Sequence, residues 1–539
     1  MFGLLIPLLL LLAVVLAVVA VMQRVMGKPS QKPGEGGDVI AYLLLALAMG
    51  VAGFALADLA STAFPGDRFV FDPASELATS LAALVVSAPF AVFFWRRQAR
   101  RRALYPGAVG WALYLALMEV VFLTAFVVAA VRFLDGLFTG ESLETWTGAV
   151  VFGGIVAFHE IAVSRTPPRS DASELPRVLG SAIGWVTTVI GLAGTLGSGL
   201  FSLLYEAMVE GPGTAEWSPW PAMAVVGLAV WVYRWARPWP EDAGTPRTAW
   251  ATLVSIGSLV AAVGWATAIA VLFVQYLGSD GAAAAEHFEV LPVFVAIALV
   301  GLASWAWHRR QLGSGRTNPL RAYEYAMSGI GLTASTGLAV TLTVTAIDDD
   351  LIVGGDIADV ISIALSLVVA LSLWRYFDRR WRQGEPEVEA TAWPRRIHNL
   401  GLGIVLGLVA AGSLITTIFI LLRRFLDGGG DGSLLTPVAI LVYTGLATWY
   451  LLAAYVRDRA YIEEEEVVVP FEVTIVTSHP GSIATRFPKQ ARLTVIHRGD
   501  DAGVIDDEMA DAIVSAVANR PSLVWVDQEG FRVAPKRVT

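Results

Sequence analysis

From Leu4 to Arg459 the chain is a series of apolar runs separated by short polar clusters. LLIPLLLLLAVVLAVVAVM (Leu4 to Met22) and HNLGLGIVLGLVAAGSLITTIFILL (His398 to Leu422) contain no Asp, Glu, Lys or Arg. About 17–25 residues of helix cross a hydrocarbon core of roughly 30 Å, because each residue advances a helix by about 1.5 Å. A single run of this kind fits a buried core helix, whereas a dozen predict membrane spans. The pattern gives thirteen, at 3–22, 38–63, 77–95, 107–131, 146–163, 178–205, 218–236, 248–277, 288–307, 322–346, 355–375, 397–422 and 434–456. The segment 146–163 is the shortest and carries His159 and Glu160 near its end.

Beyond residue 460 the periodicity changes. YIEEEE leads into an alternating strand pattern, Val469 to Ser478, and Arg492 to Gly499 gives a second. Asp506 to Arg520 reads as an amphipathic helix with acids in its first turn, and Ser522 to Pro535 as two strands joined at Gln528 to Gly530. HPGS, His479 to Ser482, reads as a turn. The expected fold class is therefore an all-α polytopic membrane protein of about thirteen spans with a small α+β domain at 461–539.

Composition agrees with this reading. The chain is 55% hydrophobic and 16% charged, with a mean hydropathy of +0.62. The absence of cysteine excludes disulfides, thiolate metal sites and thiol nucleophiles. Charge position says more than the net value of -9. Loops after the odd-numbered spans hold twenty-six basic residues, among them Arg96, Arg97, Arg309, Arg310, Arg379 and Arg380. The opposite loops hold four: Arg68, Arg132, Arg423 and Arg424. Basic loops stay in the cytoplasm, so the expected location is the plasma membrane with the amino terminus outside and the tail inside. The first span has no basic residue before it and positive charge after it, which reads as a retained anchor rather than a signal peptide. The tail carries 13 acidic and 8 basic residues from Tyr461 onward, which argues against nucleic acid as a partner.

RFLDG occurs at Arg132 to Gly136 and again at Arg424 to Gly428. After the 1–37 anchor and inner loop, the spans group into six tandem hairpins: 38–106, 107–177, 178–247, 248–321, 322–395 and 396–460. RFLDG falls at the outer end of the first helix in the second and sixth. The return helices end alike, in PFAVFFWRRQARR, VAFHEIAVSR, AVWVYRWAR, LASWAWHRR, ALSLWRYFDRR and LATWYLLAAYVRDR. Tandem self-similarity marks one repeated unit. Trp and Tyr suit headgroup depth while Arg reaches past them to phosphate or water. RFLDG itself reads as a helix terminator, with an i,i+3 Arg–Asp pair and a closing glycine. Hairpins ending in aromatic–Arg clusters resemble the prokaryotic membrane domain family called domain of unknown function 5671, in several tandem copies over roughly 38–460. The resemblance implies a pair of helices with a small exterior turn, and brings no catalytic residues with it.

Ionisable groups inside spans are expensive and therefore candidates for function. Glu119 falls near the middle of its predicted span, where it either serves a polar pathway or makes an interhelical contact. Asp58 lies nearer the outer face, and Arg132, Asp135, Arg424 and Asp427 form a candidate outer mouth. Glu160, His159 and Glu324 read as headgroup contacts. The tenth span is rich in hydroxyls, with Thr336 and Thr343 partly sharing a face. The six histidines are scattered, and no HExxH, phosphate-binding loop, dinucleotide fingerprint or serine-hydrolase elbow occurs. No cofactor or metal is expected, and a lipid-modifying enzyme has weak support. The expected function is a membrane scaffold or sensor presenting its cytoplasmic domain to a protein partner, with membrane lipids as the other contact. The alternative is a transporter or channel for a small solute or ion, with Glu119 in its path.

Overall fold

The computed structural model describes residues 35–63, 73–104, 109–139, 146–164, 171–206, 219–235, 245–279, 284–313, 315, 317–347, 357–382, 384–427, 433–463, 471–477, 483–487, 491–497, 505–517, 522–527 and 530–535. The span at 3–22 and the HPGS turn lie outside them. The long helices begin with α1 (Glu35–Ala63), α2 (Pro73–Leu104) and α3 (Val109–Met118). A π-helical turn, Glu119–Leu123, carries α3 into α4 (Thr124–Thr139). Then come α5 (Trp146–Ser164), α6 (Asp171–Phe201), α7 (Trp220–Trp235), α8 (Thr245–Gly278), the single turn α9 (Ala284–His287) and α10 (Leu291–Gln311). The series continues with α11 (Asn318–Ile347), α12 (Ile357–Trp381), the short α13 (Pro386–Thr391) and α14 (Trp393–Arg396). A second π segment, Ile397–Leu402, leads into α15 (Gly403–Asp427), and α16 (Leu435–Glu463) closes the series.

Eleven spans among the described residues are long and apolar enough to cross a bilayer, and the chain is a polytopic membrane protein. The seventh expected span is present as α7, whose 16 described residues cover about 24 Å at 1.5 Å per residue. Large apolar side chains such as Val85, Leu408 and Ile415 stand outward, as lipid contact requires.

Consecutive helices meet through small residues. Gly184 lies against the Trp231 backbone, Gly191 against Ala224, and Gly227 against Thr188, so that a Cβ at any of them would overlap main chain. The falling partner numbers make α6 and α7 antiparallel. Gly331 likewise meets the Trp374 backbone and Gly301 the main chain of Ser258 and Ala262, whereas Gly403 and Gly407 face the side chains of Leu452 and Thr448. Water supplies no driving force between helices in lipid, so close backbone approach and dispersion do this work.

Aromatic packing joins α1 to α5. Tyr42, Trp111, Tyr114, Phe122 and Phe152 are buried together, with Trp111 stacked on Tyr114 at 5.2 Å between ring centroids and Trp95 against Trp111 at 6.0 Å. Further along, Trp185 packs edge-on to Trp250 and donates to Ser304 Oγ at 3.0 Å. Leu332, Leu406, Ala447 and Leu451 form the corresponding apolar centre of α11, α15 and α16.

Two compact units divide the chain. One comprises Met1–Glu385 with Ala392–Leu452, the other Pro386–Thr391 with Ala453–Thr539. The second holds a four-stranded sheet: β1 (Phe471–Thr477), β2 (Ala491–His497), β3 (Ser522–Asp527) and β4 (Gly530–Pro535), in the order β2-β1-β3-β4. β1 pairs parallel to β2 and β3, and β3 pairs antiparallel to β4. Helices α17 (Ile483–Arg486) and α18 (Asp507–Val517) contribute Ile483, Ala510, Ile513 and Val517 to a core with Val473, Ile475, Val524 and Val526. Arg486 bonds Asp511 at 2.7 Å and Asp507 at 2.8 Å, and the Asp511 hydrogen bond raises its pKa above the usual arginine value. The expected strand–strand–helix–strand–strand order holds here; α17 is an addition, a single turn too short to leave a periodic signature.

Candidate functional site

Glu119 opens the π turn on the way into α4. A π turn inserts one extra residue and rotates the helix beyond it, a feature common at functional positions. The helix containing Glu119 runs on to Thr139, so by helical rise the residue sits roughly 14 Å from the Gly110 end and roughly 30 Å from the Thr139 end, about 8 Å from the middle of the helix. The helix continues eight residues past the expected end at 131, because the polar residues at Arg132 and Asp135 look like a boundary and nothing in the composition marks the continuation past them.

The Glu119 carboxylate is buried and ion-paired with Nη2 of Arg234, one residue before the end of α7. Nη1 of the same guanidinium donates to Oε2 of Glu160 on α5. All three groups are buried. Gly180 on α6 makes the room: a Cβ there would stand 2.5 Å from Glu119 Oε1 and 3.0 Å from Arg234 Nε. The trio therefore holds two carboxylates and one guanidinium, an excess of one negative charge when all are ionised. Next to it, His159 Nδ1 lies 2.8 Å from the Ile155 carbonyl, which can only accept, so Nδ1 carries the hydrogen. Nε2 then accepts from the Tyr114 hydroxyl at 2.9 Å. Glu160 and His159 are thus interior partners and not the headgroup contacts expected. Arg234, counted among inner-loop charges, is the residue that sequence reading missed. WVYRWAR looks like the other interfacial caps, yet α7 carries Arg234 inward, 2% exposed.

A second buried acid, Asp378 on α12, accepts from Tyr450 Oη at 2.5 Å and is ion-paired with Arg382 Nη2 at 2.9 Å. Burial disfavours the charge of Arg382, but its bonds with Tyr450 and Asp378 outweigh that and raise its pKa. Glu324 is also buried, 3.9 Å from Arg380.

The remaining candidates do not converge. Asp58 is exposed on α1, its carbonyl accepting from Ser61 at 2.7 Å. Thr336 is buried and returns its hydroxyl to the Leu332 carbonyl at 2.8 Å. Thr343 does the same to Ala339 and also meets Tyr443 Oη on α16 at 2.9 Å, an interhelical contact. Arg132 is exposed, Asp135 half-buried and Gly136 buried, all inside α4. The first RFLDG does not terminate its helix, because Leu137, Phe138 and Thr139 continue the helical hydrogen bonding. In the second copy Arg424 is exposed on α15, and the closing Gly428 lies outside the described residues. Among the described residues no cluster of three or more His, Cys, Asp or Glu is placed to hold a metal ion.

Long apolar helices, inward-facing charges paired with one another and small-residue helix contacts define a multi-span membrane protein with a small α/β appendage. Residues 38–158 match the family described as domain of unknown function (DUF5671). The match is confined to α1–α5, four crossings rather than one helix pair, and does not extend along 38–460. No curated protein and no solved structure matches the chain.

Proposed function

We propose that the chain is a membrane scaffold or sensor, in which six antiparallel helix pairs form three four-helix domains that carry a cytoplasmic α/β domain toward a protein partner. The observation that carries this reading is the closure of Glu119 and Glu160 on Arg234. The acids belong to the second helix pair and the arginine to the third, so the trio joins two successive domains. Glu119 has a buried partner on the neighbouring helix pair, which supports an interhelical structural role for it.

Several repeated contacts support the three-domain grouping. Gly184 touches Trp231 as Gly331 touches Trp374, in the leading pairs of the second and third domains. His159 Nδ1 bonds the carbonyl four residues back, as does His308 Nδ1, in the closing pairs of the first and second. RFLDG likewise falls in the closing pairs of the first and third. The family match spans one such domain.

A second reading, conduction of a small ion, draws on the unbalanced carboxylate of the trio. Reconstituted protein, intact and as Glu119→Gln, separates the two in a flux panel of protons, alkali cations and small anions. Scaffolding predicts flux no higher than protein-free liposomes from folded protein of either form. Flux by the intact chain that falls at least tenfold in Glu119→Gln contradicts it.

A further inference from the structure

We infer that β2 of the appended domain is an interaction edge whose partner is β2 of a second copy of this chain, the two strands running antiparallel about Thr494 and joining two four-stranded sheets into one. In the order β2-β1-β3-β4 the two outer strands end the sheet differently. β4 carries Arg532, whose side chain is 78% exposed, and closes on Pro535, which has no N–H to offer a neighbour. β2 reads ARLTVIH, with no proline and no charge from Leu493 to Ile496. Among the described residues β2 pairs with β1 alone. Its 7 residues therefore present outward backbone groups with no strand beside them, and an edge without charge or proline is a template for pairing.

The side chains select what pairs there. In register, Leu493 lies beside Val473 and Val495 beside Ile475. Val473 and Ile475 are buried in the core with α17 and α18, whereas Leu493 and Val495 stay half-buried at the rim of the same row. Thr494 and Ile496 alternate to the other face and are exposed. A second β2 centred on Thr494 engages the full length of both strands. It sets each Leu493 opposite the other copy's Val495, which carries the buried row across the junction. Thr494 falls opposite its own counterpart, and Thr–Thr pairs are favourable across strands. Arg492, the one Asp, Glu, Lys or Arg in the strand, falls opposite Ile496, so no like charges meet.

Every one of these relations holds in both directions, as a two-fold dimer requires. The assembly also closes at two chains, because both of its outer strands are then β4. The pairing is independent of whether the membrane helices scaffold or conduct, since the edge belongs to the appended domain alone.

The test is the oligomeric state of the full chain in detergent by light scattering, with cysteine cross-linking to read the geometry. Intact protein should be dimeric. Thr494→Lys, which puts two ammonium groups directly opposite each other, should weaken the dimer roughly fivefold or more. Ile496→Lys, set against Arg492, gives the same readout should the first variant misfold. Thr494→Cys should give a disulfide-linked dimer on mild oxidation, since directly opposite Cβ atoms stand about 4.5–5.5 Å apart, while Ala534→Cys on β4 should not. A monomeric intact chain, a dimer that folded Thr494→Lys or Ile496→Lys leaves as tight as before, or equal cross-linking at Ala534→Cys overturns the assignment. So does cross-linking of Thr494→Cys in isolated membranes to a different protein in place of a second copy.

Discussion

At the scale of single residues, the trio sets the strongest expectation. Removing Arg234 leaves two buried carboxylates facing each other, and breaking a buried pair from one side costs about 3–5 kcal/mol. Arg234→Met should therefore lower the unfolding temperature of the detergent-purified protein more than any single change at Asp58 or Arg132, which are exposed. Replacing all three members together, as Glu119→Leu, Glu160→Leu and Arg234→Leu, should recover most of that loss, because no unpaired charge remains buried. A triple variant as unstable as Arg234→Met would mean that the site contributes something other than mutual charge compensation. The trio also marks the limit of sequence reading at this scale. Glu119 was visible as a lone acid in an apolar run. Its partners were not, because Glu160 and Arg234 sit in segments whose composition is that of ordinary interfacial caps, and only tertiary packing decides which caps turn inward.

At the scale of helices, glycine divides into two kinds. Gly227 lies against the backbone of Thr188 and Gly184, and a methyl group there has nowhere to go. Gly257 has no atom within 4 Å of where a Cβ would stand. Gly227→Ala should destabilise by about 1–3 kcal/mol through overpacking, while Gly257→Ala should be neutral or stabilising by up to about 1 kcal/mol through helix propensity. Thermal unfolding of the two variants side by side checks this, and equal effects would contradict the packing described for α6 and α7. Helix positions were largely legible, since an apolar run of fixed minimum length leaves few alternatives. Helix ends were less so. α4 runs past RFLDG because the residues after Gly136 are compatible with helix, and a glycine permits a C-cap without requiring one. The strands of the appended domain followed from period-two alternation; their parallel pairing did not, because register and neighbour order depend on the crossovers and not on the strands themselves.

At the scale of the whole molecule, the proposed grouping into three four-helix domains would account for features that six equal hairpins leave apart. The family match stops at residue 158, and the ion trio falls where the first domain meets the second. The equivalent junction between the second and third is aromatic and apolar, with Trp305 donating to Tyr323 at 2.8 Å beside Phe377 and Leu312. Both depend on one premise, that the arginine-rich helix ends share a side of the bilayer. The chain has no cysteine, so a single introduced thiol is unambiguous. The direct measurement is labelling of intact cells with an impermeant maleimide at Arg310→Cys, Arg379→Cys, Thr139→Cys and Ser433→Cys, all exposed positions. Thr139→Cys and Ser433→Cys should react from outside, and Arg310→Cys and Arg379→Cys only after the membrane is opened. Reaction of either arginine position together with Thr139→Cys in sealed cells, or a split between Arg310→Cys and Arg379→Cys, would contradict the account.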